Sequence, residues 1–165
     1  MLLQLQSLFT GENPVLPLDV QLDFSGLEWN GETPFREPVS VQGEIRYNAG
    51  VVTLSAAVRY TYDGICDRCA RDIHCEEQLQ MEHTLVVSLN HEDNESFVLL
   101  DNYRLPLDEL VQEDLLLEQP LKRLCSEECR GLCPTCGQDL NEGNCSCVQK
   151  TVDPRLAALQ QLLDG

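Results

Sequence analysis

Basic residues are scarce in this sequence. Its 165 residues include 11 Lys and Arg against 28 Asp and Glu, which gives a formal net charge of -17 at pH 7. A protein that coats phosphate backbones needs positive surface charge, so the composition excludes broad, sequence-independent affinity for nucleic acid. An acidic surface suits a basic protein partner, and it equally suits plain solubility.

Long apolar runs are also missing. The longest candidates, such as residues 84–89, have the length of a strand and fall short of the roughly 20 residues that cross a bilayer. No Lys or Arg precedes Arg36, so the apolar start lacks the charged region of an export signal. We therefore expect a cytoplasmic protein without a membrane role.

The motifs of common enzyme classes are absent as well. The sequence has no glycine-rich phosphate loop, no nucleophile elbow and no H-E-x-x-H helix. A Cys-His nucleophile at Cys75 and His74 is disfavoured because adjacent residues of a strand face opposite sides. No role is assigned to His83 or His91. We predict a non-catalytic protein without a small-molecule substrate.

Strand patterns dominate the first half of the chain. Apolar and polar residues alternate over residues 15–24 and 39–47, which predicts two half-buried strands. A tight turn at residues 48–50 leads into a further run at residues 51–62, so we predict an antiparallel hairpin there. Residues 75–89 predict another strand.

Helices are predicted later in the chain. Leucine spacing predicts one over residues 108–119, begun by Asp108 and ended by Pro120, and Asp153-Pro154 predicts a short second one that docks on the body. Residues 90–96 predict an exposed loop. The fold class is therefore α+β: a helix packs on an antiparallel β-sheet or partly closed barrel, and a zinc knuckle and short helix follow. We divide the chain into a strand-rich body, residues 1–120, and a Cys-rich tail, residues 121–165.

Cysteines are the strongest local signal. The chain has nine, and in a cytosolic protein such a pattern favours metal binding over disulfides, because reducing compartments keep thiols free. Sites of four thiolates would use four or eight of them and leave at least one spare. Six lie within the tail: Cys125, Cys129, Cys133, Cys136, Cys145 and Cys147.

The segment C-P-T-C-G in the tail is typical of a zinc knuckle. Two thiolates separated by two residues can face one ion, and Gly137 lets the backbone turn and donate N–H groups to sulfur. A loop can return two later cysteines to the same ion. The preferred metal site is therefore Cys133, Cys136, Cys145 and Cys147. The one-residue spacing of the last two leaves room for Cys125 or Cys129 to replace one of them.

A second cysteine pair, Cys66 and Cys69 in C-D-R-C, falls at a turn between two predicted strands. No completing pair lies nearby, so two outcomes stay open. Either the pair binds a second ion with Cys125 and Cys129 across space, or both thiols stay reduced. We expect Cys75 to be a packed strand cysteine or a spare thiol.

Four thiolates favour zinc, one ion or two, over calcium and magnesium, which prefer oxygen. An iron-sulfur cluster is the weaker alternative. Four protein ligands leave no open position, so such a site is structural. Because no long apolar run lies between Cys125 and Cys147, the tail should unfold without metal. Basic residues near the sulfurs are expected to offset the negative charge of the site; they are Arg68, Arg71, Lys122, Arg123 and Arg130.

Two other functions compete with a structural metal site. The C-D-R-C pair is compatible with a CxxC thiol redox protein, yet thioredoxin-type motifs open a helix inside a βαβ unit, whereas this pair joins two strands. A zinc-containing nucleic-acid-binding regulator needs a basic recognition helix. The helix predicted after the cluster has Arg155 as its single basic residue.

Together these features resemble the YceD family of bacterial large ribosomal RNA subunit accumulation proteins. The motifs that carry the resemblance are C-D-R-C at residues 66–69, the Cys-rich segment at residues 125–147 and D-P-R-L-A-A-L at residues 153–159. The resemblance implies a role in the synthesis, processing or accumulation of 23S rRNA and in large-subunit assembly, with no catalytic residue. The first 60 residues match only in strand pattern.

Resemblance and charge together suggest the partners. We expect a large ribosomal subunit precursor, contacted through a basic ribosomal protein, 23S rRNA or both. The acidic residues of the predicted helix would contact the basic protein, and the basic knuckle would touch RNA locally. Alternatively, these acids form a solvated helix face; they are Glu109, Glu113, Asp114 and Glu118.

Overall fold

The computed structural model describes residues 1–88 and 97–147. In chain order the elements are β1 (Leu2–Gln4), α1 (Gln6–Phe9), β2 (Val15–Leu22), β3 (Val39–Asn48), β4 (Val51–Ile65), β5 (Asp72–Val86), β6 (Phe97–Leu99), β7 (Arg104–Pro106) and α2 (Leu107–Leu117). The loop predicted at residues 90–96 and the helix predicted after Asp153 lie outside the described residues.

A five-stranded sheet in the order β2-β3-β4-β5-β6 is the main layer, and β1 and β7 form a separate antiparallel pair. Neighbours from β2 to β5 are antiparallel, but β6 runs parallel to β5. The predicted antiparallel pairing is present from β2 to β5, but β6 makes the sheet mixed, and among the described residues the sheet does not close into a barrel because β2 and β6 remain its edges. A tight hairpin cannot join parallel strands, and β5 and β6 are accordingly separated by the ten residues 87–96 in sequence.

The hairpin of β3 and β4 turns through two residues. Asn48 pairs with Val51, so Ala49 and Gly50 form the loop. Both have positive φ, 50° and 92°, which is the conformation of a type I′ turn. The predicted hairpin is therefore present, with its turn at the predicted residues.

The core lies on one face of the sheet. Alternate residues of β4 are buried there, among them Val52, Leu54 and Val58, as the period-2 pattern requires. Helix α2 covers this face with Leu107, Leu110, Val111 and Leu115. Full burial of one such side chain contributes about 1.5–3 kcal/mol to stability.

Strands β4 and β5 extend beyond β3 as a two-stranded ribbon. The last pair of β3 with β4 is Ser40 with Arg59, whereas pairing of β4 with β5 continues to Ile65 and Asp72. The C-D-R-C motif forms the turn at the end of this ribbon. Within the described residues, no helix is long and apolar enough to cross a membrane.

Candidate metal centres

Eight of the nine cysteines form two groups, and within each group the sulfur atoms lie within 4.8 Å of one another. The first, which we call the turn cluster, takes two residues from the ribbon turn and two from the segment after α2. The second, the tail cluster, lies wholly within the tail. The turn cluster is Cys66, Cys69, Cys125 and Cys129, and the tail cluster is Cys133, Cys136, Cys145 and Cys147.

The structure shows which cysteines group together, a question that the sequence left open. Cys145 and Cys147 join Cys133 and Cys136 despite their one-residue spacing. Cys125 and Cys129 lie instead with the C-D-R-C pair, more than 50 residues away in sequence. All nine cysteines are free thiols in the structure.

The knuckle of the turn cluster, residues 66–70, is held by backbone hydrogen bonds, and we call it the turn knuckle. The N–H of Ala70 donates to the carbonyl oxygen of Cys66 at 2.9 Å, and the N–H of Cys66 donates to the carbonyl oxygen of Arg71 at 2.8 Å. Ala70 adopts a positive φ of 56°, which closes the turn. This residue follows the second cysteine of the motif directly.

The knuckle of the tail cluster has the same pattern. The N–H of Gly137 donates to the carbonyl oxygen of Cys133, and the N–H of Cys133 donates to that of Gln138, both at 2.8 Å. Gly137 has a φ of 74°. The N–H of Thr135 reaches the sulfur of Cys133 at 3.4 Å. Two segments with different sequences thus form the same sulfur-presenting turn.

Sulfur separations in the turn cluster suit a tetrahedral ion. The Sγ atoms of Cys66 and Cys129 are 3.8 Å apart, and those of Cys69 and Cys125 are 3.5 Å apart. Four thiolates that bind zinc at about 2.3 Å have sulfur atoms about 3.8 Å apart. The residues present therefore fit a zinc ion in number, chemistry and spacing.

Backbone N–H groups favour the thiolate form of one residue in the turn cluster. Burial raises the pKa of the Cys66 thiol, but N–H groups of Arg68, Cys125 and Cys69 outweigh it and lower the pKa to about 6. The N–H of Cys125 lies 3.3 Å from this sulfur. The N–H of Arg71 favours the thiolate of Cys69, yet burial and the neighbouring sulfurs raise the pKa of Cys69 to about 12.

The tail cluster likewise contains one thiol with a lowered pKa and one with a raised pKa. The N–H groups of Cys136 and then Thr135 lower the pKa of the Cys133 thiol to about 6. A hydrogen bond with Cys136, together with burial, raises the pKa of Cys147 to about 12. The lowered pKa values of Cys66 and Cys133 favour the thiolate in each cluster, and a bound cation would favour ionisation of the other thiols.

Arginine side chains near the clusters bond to oxygen atoms. Arg68 donates to the carbonyl oxygen of Cys129 at 2.7 Å, and Arg130 donates to Asn144 Oδ1 at 2.6 Å. Among the described residues, neither guanidinium hydrogen-bonds to a ligand sulfur. Apart from the thiols themselves, the donors that reach ligand sulfurs within the described residues are backbone N–H groups and the Asn141 side chain.

Arg123, which the sequence predicted to lie near the metal-binding sulfurs, lies instead against the ribbon. Its guanidinium donates to Glu77 Oε1 at 2.5 Å and to Gln119 Oε1 at 2.6 Å, and it lies 3.8 Å from the Tyr62 ring centroid. It also approaches the sulfur of Cys75 at 3.7 Å. Burial raises the pKa of this ninth thiol, which is partly buried and packed against the core.

Sequence reasoning missed the role of His83. Its Nε2 lies 2.7 Å from Asp114 Oδ2, so the residue links β5 to α2. Asp114 is therefore engaged inside the protein, whereas Glu109, Glu113 and Glu118 are exposed. Two sequence signals could have predicted this pair. His83 alternates in phase with the buried residues of β5, and Asp114 lies beside the buried residues of α2.

Family comparison agrees with these motifs. The family model described as large ribosomal RNA subunit accumulation protein YceD matches residues 54–163. The matched region begins in β4 and contains all nine cysteines. No curated protein and no solved structure is significantly similar to the chain. Because the family match covers more than half of the sequence, the chain belongs to the YceD family of large ribosomal RNA subunit accumulation proteins.

Proposed function

We propose that this protein is a non-catalytic cytoplasmic factor for the synthesis, processing or accumulation of 23S rRNA and for large ribosomal subunit assembly. The family match over residues 54–163 carries this proposal, because it includes the ribbon, α2 and both cysteine clusters. The family description names rRNA accumulation and no reaction.

We further propose that each cluster binds one zinc ion and that both ions are structural. Each cluster offers four thiol ligands and, among the residues that the structure describes, no oxygen ligand, which favours zinc over hard cations. The ions would supply cross-links between chain segments, and four protein ligands would leave no position for a substrate. An iron-sulfur cluster in place of zinc is the alternative that metal analysis distinguishes.

The tail, residues 121–165, is proposed to be a metal-organised unit fastened to the body, residues 1–120. Hydrogen bonds join the two parts at the ribbon turn, where the N–H of Asp67 donates to the carbonyl oxygen of Arg123 at 2.9 Å. The N–H of Arg123 in turn donates to Asp67 Oδ2 at 2.5 Å. The turn cluster continues this connection through its sulfurs.

A basic ribosomal protein on the large-subunit precursor is the proposed partner of α2, with 23S rRNA nearby. Glu109, Glu113 and Glu118 are the acidic side chains that α2 and its C-cap leave exposed. Beside them Leu117 is 82% exposed, which adds apolar contact area. A cationic, partly apolar segment has the matching chemistry.

Affinity purification of the full chain from growing cells, with sequencing of bound RNA and mass spectrometry of bound protein, tests the proposal. We expect 23S rRNA precursors and large-subunit proteins to be enriched, and cells without the protein to have a lower ratio of large-subunit to small-subunit rRNA. Capture of neither precursor RNA nor any ribosomal protein at low salt would overturn the proposal.

Charge-reversal variants test the α2 surface. Replacement of Glu109, Glu113 and Glu118 by Lys should abolish capture of the basic protein, because opposite charges then become like charges. The matched control reverses three exposed glutamates outside α2, at Glu12, Glu28 and Glu82, and should retain capture. Equal loss in both variants would show that only net charge matters, which would contradict an α2 surface.

The redox alternative is less well supported by the geometry. A dithiol that cycles with a substrate disulfide needs a thiol pair free of further ligands, whereas Cys66 and Cys69 share a four-sulfur group. The DNA-binding alternative depends on a helix outside the described residues.

A further inference from the structure

The loop between the two cysteine pairs of the tail cluster also contacts the turn cluster. Asn141 belongs to this loop, between Cys136 and Cys145. Its Nδ2 donates to the sulfur of Cys129, a turn-cluster residue, at 3.5 Å. A side chain positioned by the ligands of one site therefore hydrogen-bonds to a ligand of the other.

Surrounding hydrogen bonds fix the orientation of the Asn141 amide. Its Oδ1 accepts a hydrogen bond from the N–H of Arg130 at 2.7 Å, so its Nδ2 must face the sulfur. The second Nδ2 proton goes to Asp139 Oδ1 at 2.8 Å. All polar groups of the amide are thus engaged, and the N–H···S bond depends on the conformation of the loop.

Two further connections join the clusters. Arg71, which follows the turn knuckle, forms ion pairs with Asp139 Oδ2 at 2.6 Å and Glu142 Oε1 at 2.9 Å in the same loop. The N–H of Leu132, next to Cys133, donates to the carbonyl oxygen of Arg68 at 3.1 Å. Arg71 is exposed in both ion pairs, so they contribute little by themselves, but they favour the same loop position.

Gly131 allows this close approach. Its φ is +72°, and a Cβ added there would lie 2.9 Å from the carbonyl oxygen of Arg68. Only glycine fits such a position without displacement of the backbone. The segment between Cys129 and Cys133 therefore packs closely against the backbone of the turn knuckle.

We infer that the two clusters load metal cooperatively and that Asn141 is the positioning residue that couples them. The inference rests on the proposed zinc sites. An ion in the tail cluster closes the loop and holds Asn141 against Cys129, which favours the ligated form of the turn cluster. Linkage is reciprocal, so an ion in the turn cluster favours loading of the tail cluster by the same factor.

Typical magnitudes set the expected effect. Loss of a partner that hydrogen-bonds to a metal ligand lowers metal affinity about 10–100-fold. Coupling between two sites commonly changes affinity by about 5–150-fold. We expect a coupling factor of about 10 or more in this protein.

Zinc titration of the full chain, in competition with a chromophoric chelator, measures the coupling factor. It is the overall two-zinc association constant divided by the product of the constants of two single-site variants. The tail cluster is disabled by Cys145→Ser with Cys147→Ser, and the turn cluster by Cys125→Ser with Cys129→Ser. Circular dichroism checks that the sheet of each variant stays folded.

Asn141→Asp is the decisive substitution, because it keeps the shape and the acceptor for Arg130 but replaces the N–H donor with oxygen. The matched control is Asn144→Asp, which adds the same charge three residues later and keeps the acceptor for the Arg130 side chain. We expect Asn141→Asp to bring the coupling factor close to one and Asn144→Asp to leave it unchanged.

The possible outcomes distinguish failure of the cooperative-loading inference from failure of the proposed zinc sites. Two bound zinc ions with a coupling factor of one in the unmodified protein would overturn the inference and leave the zinc sites standing. An undiminished coupling factor in Asn141→Asp, or an equal loss in Asn144→Asp, would overturn the role of Asn141. Absence of zinc binding would overturn both the inference and the zinc sites.

Discussion

Ala70 and Gly137 occupy the same place in two turns that otherwise share only their cysteines. Both follow the second cysteine of a C-x-x-C motif and have positive φ, 56° and 74°. Glycine adopts this conformation without a Cβ penalty, whereas alanine does not. The turn knuckle is therefore the more strained of the two.

This difference predicts opposite effects of two substitutions. Ala70→Gly should stabilise the zinc-loaded protein, and Gly137→Ala should destabilise it, each by about 1 kcal/mol. Nothing lies within 4 Å of a Cβ added at Gly137, so the penalty is conformational rather than steric. Denaturant unfolding of the zinc-loaded variants measures both effects.

Gly143→Ala is the control for the tail, because a Cβ there also meets nothing within 4 Å and no positive φ is required. It should change stability by less than about 0.5 kcal/mol. A loss equal to that of Gly137→Ala would mean that any added methyl group in the tail is harmful, which the turn geometry does not predict.

Glu77 gives a pH-dependent prediction at the residue scale. The hydrogen bond from Arg123 outweighs burial and holds the pKa of this carboxyl below its ordinary value of 4.5. A depressed pKa means that the stabilisation is present above the unfolded-state pKa and is lost as pH falls through the folded-state pKa. Because the carboxyl is about one-third exposed and water screens the ion pair, Glu77→Gln should lower stability by about 1 kcal/mol at neutral pH.

The difference between the unmodified protein and Glu77→Gln should shrink in acid, as measured by urea unfolding at neutral pH and below the folded-state pKa. Metal loss in acid affects both proteins, so only their difference is compared. Glu76→Gln, an exposed neighbour on the same strand, serves as the control and should have little effect at either pH. A Glu77→Gln difference that is independent of pH would contradict the ion pair.

At the scale of elements, β3 and β4 approach each other unusually closely at Gly43. A Cβ added to Gly43 would lie 2.2 Å from the carbonyl oxygen of Ser55 and 2.5 Å from Cα of Ala56. These are backbone atoms, so no rotation of a side chain can relieve the overlap. The strand pair depends on the absence of a side chain there.

Gly43→Ala should therefore destabilise the protein by about 1–3 kcal/mol, the usual range for overpacking. Thermal unfolding of the body measures the loss, and Gly26→Ala, where nothing lies within 4 Å, is the control. If Gly43→Ala unfolded at the same temperature as Gly26→Ala, the close strand approach would be wrong.

The longer elements were predictable from sequence because their patterns are long enough to show a period. Strands β2 to β5 and helix α2 have between 8 and 15 residues and alternate or repeat clearly. Strands β1, β6 and β7 have three residues each, which is too short for any period to be detected. The parallel direction of β6 depends on the path of the chain before it, which no local pattern specifies.

At the scale of the whole molecule, the described part of the tail, residues 121–147, is joined to the body by the turn cluster and hydrogen bonds more than by apolar packing. The buried residues of the turn cluster form a small core of their own, and among the described residues Ile73 and Leu124 are the apolar side chains packed against it. The main core, by contrast, contains 24 buried residues from the sheet, α1, α2 and nearby loops. Tail and body should therefore respond differently to metal removal.

Complete chelation should release the tail while the sheet persists. Limited proteolysis should then cut first between residues 121 and 147, and far-ultraviolet circular dichroism should retain most of its strand signal. Re-addition of zinc should restore protection. Simultaneous loss of sheet and tail on chelation would mean that the two are not separable in stability.

The cysteine pairing shows where sequence reasoning stopped at this scale. Each C-x-x-C motif is visible locally because its two ligands are two residues apart. The partners of Cys66 and Cys69 lie 63 and 56 residues away, so their approach depends on the length of the ribbon and the end of α2. The N–H···S bond of Asn141 is equally non-local.

The most direct test of the central claim, that two four-thiolate zinc sites give the tail its structure, is the metal content of the full chain purified anaerobically without chelators. Native mass spectrometry with elemental analysis should find two zinc ions per folded chain, and one in a variant with Cys66→Ser and Cys69→Ser. A chain that contained neither zinc nor iron and still protected residues 121–147 from proteolysis would contradict the account.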